Sequence, residues 1–149
     1  MHALRETVRS TMEAHWRPDG RGGGHTVPNA DVYPHQWLWD SCFHALIWAE
    51  LGQADRAIAE LTAALADQAD DGFVPHVRYV ADPYGLAGFW GRSGTSSITQ
   101  PPQLGHALVR GEGRAAHDGR AVRVRITGRQ PRIRRRPRRL QRAGRVQRP

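Results

Sequence analysis

The sequence predicts an all-α body over residues 1–109 and a disordered, arginine-rich tail over residues 110–149. In the body, apolar residues recur at helical spacing, and no alternation of apolar and polar residues persists long enough to build a sheet. All eleven aromatic residues lie between Trp16 and Trp90. The tail has too few large apolar residues to offset the entropy lost on ordering.

The first predicted helix has apolar residues at every fourth position and ends before Pro18. These residues are Leu4, Val8, Met12 and Trp16. The glycine-rich run at 20–24 then opens a loop, predicted to be flexible, that reaches about residue 34.

Two more helices are predicted over about residues 40–51 and 54–69, and the short connection at Gly52 makes them an antiparallel αα-hairpin. The predicted buried stripe of the first of these helices is Trp39, Phe43, Leu46, Ile47 and Leu51. That of the second is Ala54, Ala57, Ile58, Leu61, Ala64, Leu65 and Gln68. Residues 70–100 are predicted to be mostly loop, before a fourth helix that begins at Pro101 or Pro102.

The net charge of +8 is unevenly distributed along the chain. Residues 1–109 carry seven arginines and 12 acidic residues, whereas residues 110–149 carry 15 arginines and two acidic residues. An alternative function, nucleic-acid binding, therefore attaches to the tail alone, where the run at 132–139 is the most basic. The tail has no aromatic residue on which a base could stack.

The sequence favours a cytoplasmic protein without a membrane span, metal or cofactor. No run approaches the roughly 18 apolar residues of a spanning helix, and the N-terminus has no apolar signal region. Cys42 is the single cysteine, which fits a reducing compartment and is predicted to be a packed thiol. Together with His35 and His44 it lacks the spacing of a structural zinc site.

The most informative cluster combines the aromatic residues Tyr33, Trp37 and Trp39 with the carboxylate of Asp40. Sugar sites use this mixture, because flat rings stack on the C–H-rich faces of sugars and a carboxylate accepts hydrogen bonds from adjacent hydroxyls. The alternative is that Trp37 and Trp39 anchor the core while Asp40 or Ser41 caps the helix that follows.

Three motifs resemble one family. They are W-x-W-D-S-x-F at 37–43, D-G-F-V-P-H at 71–76 and Q-P-P at 100–102. In order and separation they resemble the α/α-toroid glycosidases related to glycoside hydrolase family 63, of the glucosylglycerate and mannosylglycerate hydrolase type. The resemblance covers about residues 30–109. It implies the first two or so hairpins of a six-hairpin toroid around a central pocket, and inverting hydrolysis of α-glucosides or α-mannosides.

The resemblance also implies which residues bind the sugar or glycoside substrate. Tyr33, Trp37 and Asp40 would line the subsite for the non-reducing glucose, with Asp40 holding ring hydroxyls, and Gln100 would lie at the pocket mouth. Trp39, which belongs to the same aromatic cluster, is a further candidate substrate-binding residue.

Two further candidates lie in loops. Tyr84 would belong to a segment that closes over the aglycone. His76 follows a proline and either faces the pocket or is a structural histidine.

No catalytic residue is assigned to this chain. An inverting glycosidase needs two carboxyl groups about 6.5–9.5 Å apart, and the resemblance implies that both come from later hairpins. We therefore expect the chain alone to be inactive, or to be a non-catalytic sugar-binding fragment.

The tail is predicted to be a truncated or out-of-frame end. The chain has 22 basic side chains and all are arginine, which is typical of a GC-rich coding sequence. Translation of the other two reading frames downstream of codon 110 tests this hypothesis, since one of them should then encode aromatic-bearing helices.

Overall fold

The computed structural model describes residues 2–20, 22–80, 86–101 and 103–117. The helices are α1 (His2–His15), α2 (Leu38–Glu50), α3 (Ala54–Ala64), α4 (Leu86–Trp90) and α5 (Gln103–His117). The strands are β1 (Trp16–Pro18), β2 (Gly24–Thr26), β3 (Gln36–Trp37) and β4 (Val77–Arg78). Within these ranges, no helix is both long enough and apolar enough to cross a membrane.

The helices α1, α2 and α3 confirm the three helices that apolar spacing predicted. Only three residues connect α2 to α3, and the two helices pack against each other. Helix α3 ends at Ala64 and is followed by turns, so it is shorter than predicted. Helix α5 begins at Gln103 and continues past residue 110 to His117. The predicted boundary between body and tail stays a prediction, and residues 118–149 lie outside the described part.

The prediction that no sheet forms is wrong, because the described chain contains two small antiparallel pairs. β1 pairs with β2, and β3 pairs with β4 so that Trp37 lies opposite Val77. Strands of two or three residues are too short to show an alternation of apolar and polar residues. In addition, β3 pairs with a strand that lies far away in the sequence. At Gly24 a Cβ atom would lie 2.5 Å from the Arg17 carbonyl oxygen, so the close hairpin requires glycine there.

The turn between β1 and β2 contains Gly20, Gly22 and Gly23 of the run predicted to be a flexible connector. The Asp19 backbone N–H donates to the Gly23 carbonyl oxygen at 3.1 Å, and the Gly23 N–H donates to the Asp19 carboxylate at 3.0 Å. The turn is therefore closed by its own hydrogen bonds.

The predicted buried face of α2 is partly wrong. Trp39 and Phe43 are 37% and 47% exposed. The buried residues of the helix are Leu38, Ser41, Cys42, Ala45 and Trp48. Because apolar residues occur almost all round α2, spacing alone does not select a face, and the small residues are the ones that allow neighbouring helices to approach closely.

The hydrophobic core lies among α1, α2, α3 and α5. Its centre is Trp48, which is fully buried. The Trp48 indole Nε1 donates to the Thr26 hydroxyl at 2.9 Å, and its ring meets that of Trp16 edge-on at 5.8 Å. The Arg56 guanidinium lies over both rings, at 4.6 Å from the Trp48 centroid. These contacts hold the β1–β2 hairpin against the helices.

Candidate functional site

The candidate site is a recess of about 300 Å³ at the start of α2. It is lined by Pro28, Tyr33, Trp37 and Asp40. The rings of Tyr33 and Trp37 meet edge-on, with centroids 6.2 Å apart. The structure thus brings together the three residues that the resemblance assigned to one sugar subsite.

Asp40 lies in the first turn of α2, where the helix dipole favours a negative charge. Burial raises the pKa of Asp40 above its usual range, while its own backbone N–H acts in the opposite direction. The helix begins at Leu38, and its N-cap residue Trp37 makes no side-chain cap hydrogen bond. Asp40 and Ser41 therefore lie inside the helix, and neither is its N-cap residue.

Trp37 is half-buried at the junction of β3 and α2. Neither it nor Trp39 belongs to the hydrophobic core cluster, so the alternative in which both anchor the core is wrong. The Trp37 Nε1 atom is buried, and no acceptor in the described part of the chain bonds to it.

Gln100 and Trp39 meet at the start of α2, outside the lining of the recess. The Gln100 side-chain oxygen accepts a hydrogen bond from the Trp39 backbone N–H at 2.6 Å. The Trp39 ring stacks on Phe43, with centroids 6.2 Å apart and planes inclined at 27°. Gln100 thus contacts the residue that precedes Asp40 in α2, whereas the Trp39 ring packs on another aromatic residue.

His76 lies behind the recess. Its ring sits between Trp37 and Trp90, at centroid distances of 5.4 and 5.7 Å. Its Nδ1 atom is hydrogen-bonded to the Ser96 hydroxyl, and its carbonyl oxygen accepts from the Leu38 N–H at 2.9 Å. Burial lowers the pKa of His76, which favours the neutral ring. The ring packs on Trp37 and is not among the residues that line the recess. Tyr84 lies outside the described residues.

Sequence reasoning missed Glu60, a fully buried residue of α3 behind the first turn of α2. Its carboxylate accepts hydrogen bonds from the Ser41 hydroxyl and the Thr26 backbone N–H, both at 2.7 Å. Burial raises the pKa of Glu60 to about 7. The one signal in the sequence is an acidic residue placed between Ala57 and Leu61 on the apolar face of a helix.

Cys42 is a buried free thiol, as predicted. Burial, with a smaller contribution from the Glu60 carboxylate, raises the pKa of Cys42 to about 11. Since the thiolate is the reactive form, Cys42 is inert at neutral pH. Among the described residues, no three histidine, cysteine or acidic side chains are grouped so that they could hold a metal ion.

A family model for the mannosylglycerate hydrolase MGH1-like glycoside hydrolase domain matches residues 33–143. Mannosylglycerate hydrolase of Thermus thermophilus is 40% identical over an alignment of 89 residues, and the match covers 54% of this chain and 21% of that protein. Mannosylglycerate hydrolase MGH1 of Selaginella moellendorffii is 37% identical over an alignment of 91 residues, with coverage of 54% of this chain and 18% of that protein. Glucosylglycerate hydrolase of Mycolicibacterium hassiacum is 32% identical over an alignment of 109 residues, with coverage of 62% of this chain and 24% of that protein.

The fold is also similar to a solved structure. The crystal structure of a family 63 mannosylglycerate hydrolase from Thermus thermophilus, in complex with Tris and D-glycerate, matches with a TM-score of 0.60 and 32% sequence identity. The match covers 76% of this chain and 30% of that chain. The names of these matches give no support to the nucleic-acid alternative.

The chain is much shorter than the proteins it matches, and spans 18% to 24% of the length of these three curated relatives. The family model nevertheless covers most of the chain and includes the recess residues Tyr33, Trp37 and Asp40. The chain therefore belongs to the family of mannosylglycerate hydrolase MGH1-like glycoside hydrolase domains.

Proposed function

We propose that residues 33–101 form one wall of the substrate pocket of a glycoside hydrolase that acts on an α-linked glucosyl- or mannosylglycerate. The observation that carries this proposal is the recess in which Tyr33, Trp37 and Asp40 meet. The α2–α3 pair is then the first hairpin of an α/α toroid, and α5 begins the next one. Other segments of the complete enzyme supply the remaining hairpins.

The groups in the recess match the chemistry of a sugar ring. The rings of Tyr33 and Trp37 offer flat apolar surface to C–H groups. The Asp40 carboxylate accepts from adjacent hydroxyls, and the unpartnered indole N–H of Trp37 donates to a sugar oxygen. Gln100 lies beside the start of the same helix, and Tyr84 is proposed to close over the aglycone.

Asp40 is proposed to bind the sugar without acting as general acid or base. An inverting glycosidase needs two carboxyl groups about 6.5–9.5 Å apart across the bond, and Asp40 is the one carboxylate among the described residues that line the recess. Glu60 has a raised pKa but is fully buried and bonded to Ser41 and Thr26. The catalytic pair therefore comes from segments other than those described.

The relatives support the choice of substrate class. Proteins similar to this chain are named mannosylglycerate hydrolase and glucosylglycerate hydrolase, and one of the similar structures contains D-glycerate. The single buried thiol, Cys42, suits a cytoplasmic enzyme of this kind.

Isothermal titration calorimetry of the 149-residue chain with glucosylglycerate and mannosylglycerate tests the proposal. We expect saturable heat with at least one of them and no release of glycerate by the chain alone. Asp40→Asn should abolish the heat, because the amide loses one acceptor and the negative charge. The matched control is Asp31→Asn, which changes an exposed acid outside the recess. Absence of heat with both compounds, or equal heat with Asp40→Asn, would contradict the proposal.

A further inference from the structure

We propose that Glu60 is a positioning residue for the sugar-binding recess, and that it fixes Asp40 and Trp37 through hydrogen bonds to their chain neighbours Ser41 and Gln36. This inference rests on the proposed function and adds a residue that does not line the recess.

Glu60 joins three elements of the fold. From α3, its Oε1 atom accepts from the Ser41 hydroxyl of α2 at 2.7 Å. Its Oε2 atom accepts from the Thr26 backbone N–H of β2, also at 2.7 Å. Each carboxylate oxygen thus has its own donor, and each donor belongs to a different element. The carboxylate fixes the distance between β2 and the first turn of α2.

The same hydrogen-bond network includes the chain neighbours of two recess residues, Trp37 and Asp40. Gln36 Nε2 donates to the Ser41 hydroxyl at 3.2 Å and lies 3.5 Å from the Glu60 carbonyl oxygen. In the chain, Gln36 precedes Trp37 and Ser41 follows Asp40. Asp40 is therefore followed by a side chain that is bonded to Glu60. Trp37 is preceded by a side chain that is bonded to Ser41, the hydrogen-bond partner of Glu60.

A carboxylate at this position is not explained by stability alone. The neighbouring residues Ala57 and Leu61 are buried and apolar, and burial of a carboxylate in such surroundings carries a desolvation penalty. An apolar side chain would avoid this penalty, but it would leave the Thr26 N–H and the Ser41 hydroxyl without their acceptor. Glu60 thus opposes folding through its own desolvation while it holds two donors in place.

The groups around Glu60 leave it without a cationic partner in the described structure. His44 Nδ1 is 3.9 Å from Oε1, but burial lowers the pKa of His44 to about 4, so its ring is neutral at pH 7. The other titratable groups that interact with Glu60 are Asp40 and Cys42. Replacement of Glu60 by glutamine therefore leaves no positive charge unpaired.

Glu60→Gln breaks one specific link. The new side-chain oxygen can still accept from the Thr26 N–H, but an NH₂ group then replaces the oxygen that accepts from Ser41, so the Ser41 O–H loses its acceptor. Ser41→Ala breaks the same link from the other side. Leu61→Val is the matched control, because it alters the neighbouring buried residue outside the network.

The test compares these variants of the 149-residue chain by ¹H–¹⁵N NMR without ligand and by calorimetry with mannosylglycerate. We expect Glu60→Gln to shift or broaden the Asp40 amide and Trp37 indole signals. Affinity should fall about tenfold, the loss expected for one hydrogen bond to a charged group. Ser41→Ala should do the same, and the double variant should be no worse than either single one. Leu61→Val should lower the thermal midpoint and leave signals and affinity unchanged.

Unchanged Asp40 and Trp37 signals in Glu60→Gln would overturn the proposal, even if the thermal midpoint falls. If Glu60→Gln does not fold, Ser41→Ala decides the question by the same two signals. Should the unaltered chain fail to bind mannosylglycerate, the proposed function fails, whereas the ligand-free NMR comparison still decides whether Glu60 positions Asp40 and Trp37.

Discussion

The side-chain oxygen of Gln100 accepts a hydrogen bond from the backbone N–H of Trp39 at 2.6 Å, across 61 residues of sequence. Trp39 lies in the first turn of α2, where backbone N–H groups have no partner inside the helix. Gln100 satisfies one of these donors in place of an N-cap side chain. It therefore ties the segment before α5 to the turn that carries Asp40.

Removal of this contact should destabilise the protein and loosen the recess. We expect Gln100→Ala to lower the free energy of unfolding by about 1 kcal/mol, since a backbone donor loses its acceptor. Urea unfolding measures this loss. The control is Gln53→Ala, because Gln53 is the N-cap residue of α3 but makes no side-chain cap bond. An equal loss in both variants would show that the Gln100 contact is unimportant.

The two tryptophans of the W-x-W motif should respond differently to the same substitution. Trp37→Phe keeps an aromatic ring in the recess but removes the indole N–H, so we expect the affinity for mannosylglycerate to fall by about three- to tenfold. Trp39→Phe should leave the affinity unchanged, because that ring stacks on Phe43 outside the recess. Calorimetry of both variants checks the contrast, which fails if Trp39→Phe is the more harmful change.

The corrected buried face of α2 predicts which aromatic residue matters for stability. Phe43 is 47% exposed, so we expect Phe43→Ala to cost less than about 1 kcal/mol. Trp48 is fully buried and bonded to Thr26, so Trp48→Phe should cost about 2–3 kcal/mol through lost volume and a lost hydrogen bond. Urea unfolding of the two variants measures both losses. The buried stripe predicted from the sequence contains Phe43 and not Trp48, and it would give the opposite order.

Stability should depend on pH through Glu60. Burial raises the pKa of Glu60 from 4.5 to about 7 in the folded protein. The folded state then binds the Glu60 proton more tightly than the unfolded state does. The stability gained from this proton binding is fully present below pH 4.5 and is lost as the pH rises to 7. We expect the stability of the unaltered chain relative to Glu60→Gln to fall by about 3 kcal/mol over that range.

The comparison with Glu60→Gln is needed because two histidines act in the opposite direction. Burial lowers the pKa of His25 and of His44 from 6.5 to about 4. The stability that comes from keeping these two histidines neutral is lost as the pH falls from 6.5 to about 4, in the unaltered chain and in Glu60→Gln alike. Urea unfolding at several pH values from about 4.5 to 8 gives the difference, and parallel pH profiles for the two proteins would refute the assignment to Glu60.

Much of the helical fold follows from local patterns. Helix α1 has one apolar stripe and ends before Pro18, and Gly52, with a positive φ of 78°, ends the α2 segment. Both features act within one or two turns of the chain, so the sequence alone was enough to place them. The grouping of Tyr33, Trp37 and Asp40 was also expected, because the three residues are close in sequence and the family resemblance assigned them to one subsite.

The remainder depends on contacts between distant segments. The β3–β4 pair joins Gln36 to Arg78, and neither segment shows a strand pattern by itself. Ser41 and not Phe43 is buried on α2 because of the residue that faces it on α3. That residue is Glu60, whose buried carboxylate accepts a hydrogen bond from Ser41. A pattern read along one helix contains no information about a hydrogen-bond partner on another.

The position of β4 also has a consequence for the order of folding. The α1–α3 segment can form its contacts once residue 64 is present, whereas the recess wall waits for the partners of Trp37 and Trp39 at Val77 and Gln100. Contacts of high sequence separation close late, because loop entropy must be lost first. Pulse-labelling hydrogen exchange should thus find the Ala57 amide protected earlier than the Trp39 amide. During synthesis, the helical hairpin would leave the ribosome before the site that it supports has taken shape.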